Sequence, residues 1–139
     1  MVLLGVRTGV TMTDEMGQFR IDVEIENPAL PGARREVRNL LIDTGAELSC
    51  VPASVLEALG IARSKQRRFR QADGSVLERW TGFAIIHAAG TFAGDDVIFG
   101  EPGDRVLLGS RSLEGLNLRI DPVAKRLTDA GPMPLAAVA

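Results

Sequence analysis

Strict alternation of apolar and polar residues between positions 18 and 26 constrains the fold of this chain more than any other feature. Every second residue in the segment is apolar: Phe19, Ile21, Val23 and Ile25. The residues between them are polar or charged, and a period of two is typical of a β-strand with one buried face. The segment therefore predicts a strand that covers a core on one side and meets solvent on the other.

Further short strands separated by turns follow along the chain. Strand-like segments lie at 37–42, 67–71, 76–87, 92–99, 106–109, 118–120 and 126–128. Asp73-Gly74 between the second and third of these is a strong signal for a tight hairpin turn. A helix is expected after Cys50, with Pro52 at its first position and Gly60 just past its end, and a second short helix is expected at 110–116. The pattern predicts a mainly β fold with one or two short helices.

Size and charge place the chain among ordinary globular proteins. With 139 residues it is expected to form one domain, 1–139. A formal net charge of -2 gives no reason to expect a nucleic acid or a membrane surface as partner. Cys50 is the single cysteine, so no internal disulfide can form, and the first residues do not resemble a signal peptide. The chain is therefore expected to be soluble and cytoplasmic.

An aspartate ends the most apolar of these strands. In Leu41-Ile42-Asp43-Thr44-Gly45-Ala46 a carboxylate follows buried apolar residues and opens a tight turn. Such a carboxylate is costly unless its charge is used or satisfied. Gly45 allows backbone N–H groups to approach it, and Thr44 adds a hydroxyl. An ordinary Asp-Gly type of turn remains the alternative interpretation of these few residues.

The wider sequence around Asp43 resembles the active-site segment of the retropepsin-like aspartic peptidases, which are the retroviral proteases and their stand-alone, often bacterial, single-domain relatives. The similar string is LIDTGAELSCVP. A second similarity is VLLG at 106–109, followed by a short helix and NLRIDP, and FRQADGSVLERW occupies the place of the family's flap hairpin. The resemblance covers about residues 18–128. It implies a closed or partly open β-barrel protomer.

The resemblance also implies roles for individual residues. Asp43 would be the catalytic carboxylate, Thr44 would join the active-site loops of two protomers, and Gly45 would border the bound peptide. Ala46 belongs to the same active-site loop. Structural support of the catalytic loop would come from Leu107, Leu108 and Gly109. The tip of the flap would consist of Ala72, Asp73, Gly74 and Ser75, which is more polar than the glycine-rich, apolar tip of retroviral flaps.

The chemistry of this family needs two carboxylates. Two neighbouring carboxyl groups share a proton, so that one can deprotonate a water while the other donates a hydrogen bond to the scissile carbonyl. Two-lobed aspartic peptidases carry the Asp-Thr-Gly motif twice, and this chain carries it once. The resemblance therefore implies a homodimer with Asp43 of both protomers near the two-fold axis, acting on a peptide or protein without cofactor or metal. A dimeric peptide-binding or scaffolding module that has lost the activity is the alternative.

Other conspicuous residues have ordinary interpretations. His87, the single histidine, is expected to be a solvated or hydrogen-bonded strand residue, and Cys50 a small buried apolar residue. Trp80 is expected either in the core or beneath the flap. The basic run at 63–70 is expected to be a charged edge strand, and an anionic partner such as nucleic acid has little support from the overall charge. The apolar tail from Met133 to Ala139 is expected to be covered, either as a strand at the dimer interface, which is favoured, or extended in a substrate cleft.

Overall fold

The computed structural model describes residues 10–11 and 18–136. Residues 137–139, the end of the apolar tail discussed above, lie outside the described residues, as do most of the first seventeen. The strands are β1 (Val10–Thr11), β2 (Arg20–Glu26), β3 (Arg34–Asp43), β4 (Ser49–Pro52), β5 (Lys65–Arg70), β6 (Val76–Ala88), β7 (Thr91–Gly100), β8 (Leu107–Gly109), β9 (Leu118–Asp121) and β10 (Arg126–Asp129). The helices are α1 (Ala53–Ala58) and α2 (Ser110–Gly115).

Six of the strands close into a barrel. They pair in the order β2-β3-β8-β4-β7-β6, and β6 returns to pair with β2 through Ile86 opposite Ile25. Outside this ring, β1 pairs with β2, β5 pairs with β6, and β9 and β10 form a separate antiparallel pair. The prediction of a mainly β fold with one or two short helices is confirmed, and the structure has two. Closure leaves the ring without a free edge strand.

The apolar residues of the alternating segment form the inward face of β2. Ile21, Val23 and Ile25 are buried in the core, although the strand begins at Arg20 and not at Gln18. The same core includes residues from the other barrel strands and from both helices, among them Leu56, Phe99 and Leu108. Burial of these apolar side chains is the main driving force for closing the barrel.

A bulge in β3 sets the direction in which Asp43 points. Ile21 pairs with Leu40 and Val23 pairs with Val37, so two residues of β3 stand opposite Asp22 alone. One of them, Asn39, has a φ of 59° and donates its N–H to the Asp22 carboxylate. Because the bulge shifts the alternation, Leu40 and Ile42 face the core, and the side chain of Asp43 leaves it.

Helix α1 starts one residue later than the sequence indicated. Pro52 ends β4 with an extended ψ of 133°, so the prediction that it takes the first helical position is wrong, and the helix begins at Ala53. The predicted end is confirmed. Gly60 has a φ of +74° and donates to the carbonyl of Glu57, while Ile61 donates to that of Leu56. This pair of bonds satisfies carbonyls at the end of the helix and needs the left-handed glycine.

Candidate functional site

Asp43 is the last residue of β3 and is half-buried at the rim of the barrel. Its Oδ1 accepts the N–H of Gly45 at 2.9 Å, and its backbone carbonyl accepts the N–H of Ala46 at 3.2 Å. A Cβ on residue 45 would lie 3.2 Å from Oδ1, so glycine allows this close approach. Among the described residues, Oδ2 accepts no hydrogen bond. The Gly45 amide thus orients the carboxylate through one of its oxygens.

Three successive amides of the β8–α2 junction hold the turn that follows Asp43. Gly109 donates to the Ser49 hydroxyl at 2.9 Å, Ser110 to the Ala46 carbonyl at 2.8 Å, and Arg111 to the Glu47 carbonyl at 3.1 Å. The first N–H groups of a helix have no partner within the helix. Here the turn supplies their acceptors, so the start of α2 fixes the backbone of the residues after Asp43.

Gly109 brings β8 and this turn together. It is paired with Asp43 across the parallel strands β3 and β8, and its Cα approaches the turn closely. A Cβ on residue 109 would lie 2.6 Å from the carbonyl carbon of Leu48 and 2.8 Å from the carbonyl oxygen of Glu47. Backbone atoms cannot move aside as a flexible side chain can, so this position requires glycine for space.

Leu107 and Leu108, the other two residues expected to support the catalytic loop, lie beside β3, the strand that ends in Asp43. Leu107 stands opposite Leu41 and Leu108 opposite Ile42 in the parallel pairing. Leu108 is fully buried in the core, whereas Leu107 is half-buried on the other face. Their packing role beneath the catalytic loop stays a prediction.

The predicted flap segment is a hairpin that extends beyond the barrel. Its strands are β5 and the first part of β6, and Ala72, Asp73, Gly74 and Ser75 are exposed at its tip. Gly74 has a φ of +88° and its N–H closes the turn onto the Gln71 carbonyl. The Asp73 carboxylate accepts the hydroxyl and the N–H of Ser75, and these bonds lower the pKa of Asp73. The polar groups of the tip are therefore satisfied within the turn.

Two arginines that stand opposite each other in the hairpin connect it to the barrel. Arg67 pairs with Arg79 across β5 and β6, which places both side chains on the same face. Arg67 forms an ion pair with Asp96 on β7 at 2.9 Å. Arg79 forms two hydrogen bonds to the Asp104 carboxylate, at 2.7 and 2.9 Å. We call these two ion pairs the hairpin tethers. Sequence reasoning missed them because each joins residues more than twenty positions apart.

Trp80 is not in the core. It lies on the hairpin opposite Gln66 with 39% of its surface exposed, so the core interpretation is wrong and the position beneath a flap stays a prediction. The basic run was interpreted correctly, because β5 is an edge strand of the sheet. Cys50 is buried, as expected. Burial raises the pKa of its thiol to about 12, with a contribution from the Asp104 charge, which keeps the thiol protonated and poorly nucleophilic.

His87 lies near the opposite end of the barrel from Asp43. It is a strand residue of β6 whose Nε2 is 2.6 Å from Oε1 of Glu26, as the hydrogen-bonded interpretation expected. The N–H of Gly32 and then the His87 ring lower the pKa of Glu26. A cleft of about 470 Å³ lies beside this pair, and another of about 330 Å³ lies beside Cys50. Neither of these two clefts in the described surface is lined by Asp43.

Comparison with models of known protein families finds no match, and comparison with curated proteins finds no similar sequence either. Within the described part of the chain, no helix is long and apolar enough to cross a membrane. In residues 10–11 and 18–136, no three or more His, Cys, Asp or Glu side chains are grouped so that they could hold a metal ion. The candidate site is therefore described by its geometry alone. It consists of the Asp43 carboxylate, which the Gly45 amide orients, on a turn that the first amides of α2 hold at the barrel rim.

Proposed function

We propose that the protein is a retropepsin-like aspartic endopeptidase that acts as a homodimer. Each protomer would contribute one Asp43, and a water held between the two carboxylates would attack the scissile carbonyl of a bound peptide. The hairpin from β5 to β6 would be the flap. The observation that carries this proposal is the state of Asp43: one oxygen is held by the Gly45 amide, and the other is without a partner among the described residues.

This arrangement is suited to half of a catalytic pair. A single carboxylate can act as a base or as an acid in one step, but peptide hydrolysis through an activated water needs both functions at once. Two carboxylates brought close together share one proton, because ionisation of both is opposed by their mutual repulsion. A symmetric dimer supplies the second carboxylate from the same residue of the partner. The hydrogen bonds from the start of α2 to the turn after Asp43 favour a fixed distance between the two carboxylates.

Assembly provides the first test. The native protein is expected to be a dimer by light scattering, with an interface that buries on the order of 2,000 Å² in total. A monomer at working concentrations, together with a crystal structure in which the nearest Asp43 carboxylates are far apart, would contradict the proposal.

Hydrolysis provides the second test. The wild type is incubated with a diverse peptide mixture and the products are identified by mass spectrometry. Asp43→Asn should abolish cleavage, because the amide keeps the Gly45 hydrogen bond but cannot act as a base. Asp121→Asn is the matched control, since the Asp121 carboxylate also accepts backbone N–H groups in a turn, those of Val123 and Ala124. Full activity of Asp43→Asn would refute the assignment.

A catalytically silent dimer that binds peptides is the second candidate. The polar, internally satisfied tip of the hairpin favours it, because closure over an apolar peptide does not require Asp73 or Ser75 at that point. Such a module would bind peptides from the mixture and release them intact. Retention of peptides without cleavage by both the wild type and Asp43→Asn would support this second function.

A further inference from the structure

A chain of buried polar side chains lies behind the turn that carries Asp43. Ser49 and Ser112 are both fully buried, and their hydroxyl oxygens are 2.6 Å apart. Ser49 accepts the N–H of Gly109, and Ser112 donates to Oδ2 of Asp95 at 3.1 Å. Asp95 is 5% exposed, and its Oδ1 accepts the N–H of Asp96 and is 3.2 Å from the Arg111 guanidinium.

The direction of every hydrogen bond in this chain follows from the donors available. A serine hydroxyl carries one hydrogen, and that of Ser112 is used by Asp95. The short bond between the two serines must therefore use the hydrogen of Ser49. The N–H of Gly109 then completes a one-way series: Gly109 to Ser49, Ser49 to Ser112, and Ser112 to Asp95. Hydrogen bonds aligned in this way polarise and strengthen one another.

The series begins at the residue that is paired with Asp43. Gly109 is paired with Asp43, and the next two amides, those of Ser110 and Arg111, hold the carbonyls of Ala46 and Glu47. Arg111 also contacts Asp95 through its side chain. The series through the two serines and the Arg111 side chain therefore both end on this buried carboxylate. Burial of a carboxylate and two hydroxyls is costly compared with apolar residues of the same size.

We propose that Ser49, Ser112 and Asp95 are positioning residues that fix the depth and orientation of the Asp43 turn. They do not touch the substrate, and they act through Gly109 and the start of α2. The inference rests on the proposed function, because the purpose of a fixed turn is to hold two Asp43 carboxylates at a productive separation. A displacement of reacting groups by about 1 Å can lower a rate by about a hundredfold.

The test combines hydrogen exchange with kinetics on the full-length protein. Exchange of the Gly45 and Ala46 amides, which do not bond to the serines, is measured by NMR in Ser112→Ala, Ser49→Ala and Ser49→Thr. Ser54→Ala, at an exposed position in α1, is the matched control. Exchange of both amides should rise at least about tenfold in the two alanine variants of the chain. The threonine variant keeps the hydroxyl and should restore slow exchange.

In peptide hydrolysis, the same alanine variants should lose about ten- to a hundredfold in kcat with little change in KM. Circular dichroism and the unfolding midpoint establish that each variant is folded under the assay conditions. Exchange equal to that of Ser54→Ala overturns the inference, whether or not the protein is active. An unchanged kcat despite faster exchange also overturns it. If the wild type cleaves nothing but exchange still rises, the proposed peptidase function falls, and the control of the turn by the buried chain stands.

Discussion

Asp43 and Gly109 lie opposite each other in the parallel pairing of β3 with β8, and each is the last residue of its strand. The two strands end together, so the turn after one and the helix after the other start at the same place. Their backbones are then joined by the amides of Ser110 and Arg111. The turn that follows the Asp43 carboxylate is therefore held by residues more than sixty positions away in the sequence.

Replacement of Gly109 by alanine is expected to destabilise the protein by about 2–3 kcal/mol, because the new Cβ would overlap backbone atoms of Leu48 and Glu47. Urea unfolding measures the change in free energy. Gly103→Ala is the control. A Cβ on residue 103 would meet no atom within 4 Å, so the loss of stability comes only from placing alanine at a φ of +92°, roughly 1 kcal/mol. Equal costs at the two positions would show that the close approach is not limiting.

The dependence of hydrolysis on pH tests the shared proton. If two Asp43 carboxylates act with one proton between them, kcat/KM should fall both when the pair is fully protonated and when it is fully ionised. The profile is measured with one peptide substrate identified from the mixture. Circular dichroism over the same pH range separates loss of activity from loss of fold. A rate governed by a single ionisation would contradict a catalytic pair.

The role of the hairpin is tested at Gly74. Valine at a φ of +88° should cost roughly 1–2 kcal/mol, since a β-branched residue disfavours this region. If the hairpin is a flap, turnover should fall further than stability explains. Gly32→Val is the matched control, because Gly32 has a φ of +97° in the β2–β3 turn and also has open space around it. Equal effects of the two variants on activity would reduce the hairpin to a structural element.

The tether between Arg79 and Asp104 should contribute to stability in a measurable way. Both side chains are mostly covered and joined by two hydrogen bonds, so a double-mutant cycle with Arg79→Met and Asp104→Asn should give a coupling of about 1–2 kcal/mol. The exposed pair of Arg38 and Glu36 is the control and should show no coupling beyond experimental error. A tether coupling as small as that of the control would rule out this role.

The ion pair between Arg79 and Asp104 also predicts how the stability of the protein changes with pH. The Arg79 hydrogen bonds lower the pKa of Asp104 below its ordinary value of 3.8. A carboxyl group with a lowered pKa in the folded state stabilises that state fully above its ordinary pKa and loses the contribution as pH falls through the lowered value. The difference in unfolding free energy between wild type and Asp104→Asn should therefore be constant near neutral pH and shrink below about pH 4.

The positions of β2, β5, β6 and β7 could be predicted because burial alternates along most of each strand. β4 could not, because its residues Ser49, Cys50 and Val51 are all buried between β8 and β7. A strand covered on both faces has no alternation, so no period-two signal is present. β1 has two residues and is too short for any period.

The geometry of the candidate site depends on contacts that no local pattern contains. The motif from Asp43 to Gly45 could be recognised in the sequence, but the bulge at Asn39 that turns Asp43 out of the core depends on the pairing with β2. The bond between Ser49 and Ser112 joins residues 63 positions apart. In the sequence, Ser49, Ser112 and Asp95 are ordinary polar residues. Only the fold shows that they are buried together.

The described part of the apolar tail, residues 133–136, remains uncovered within one protomer, which leads to the final prediction. Residues 131–136 form no regular structure, and Met133 and Leu135 are 70% and 90% exposed. Exposed apolar segments of this kind favour association. If the tail adds to the dimer interface, removal of Pro132 to Ala139 should raise the dimer dissociation constant at least about tenfold and lower activity in parallel.

A single substitution in the tail gives a sharper version of this experiment. Leu135→Asp should weaken the dimer as truncation does, because a charge in an apolar interface must be desolvated. Val123→Asp is the matched control, since Val123 is 91% exposed in the turn between β9 and β10. Analytical ultracentrifugation measures the dissociation constant of each variant. A tail that instead occupies the substrate cleft would leave the dimer intact on truncation and raise activity. Truncation without effect on either assembly or activity would contradict both roles for the tail.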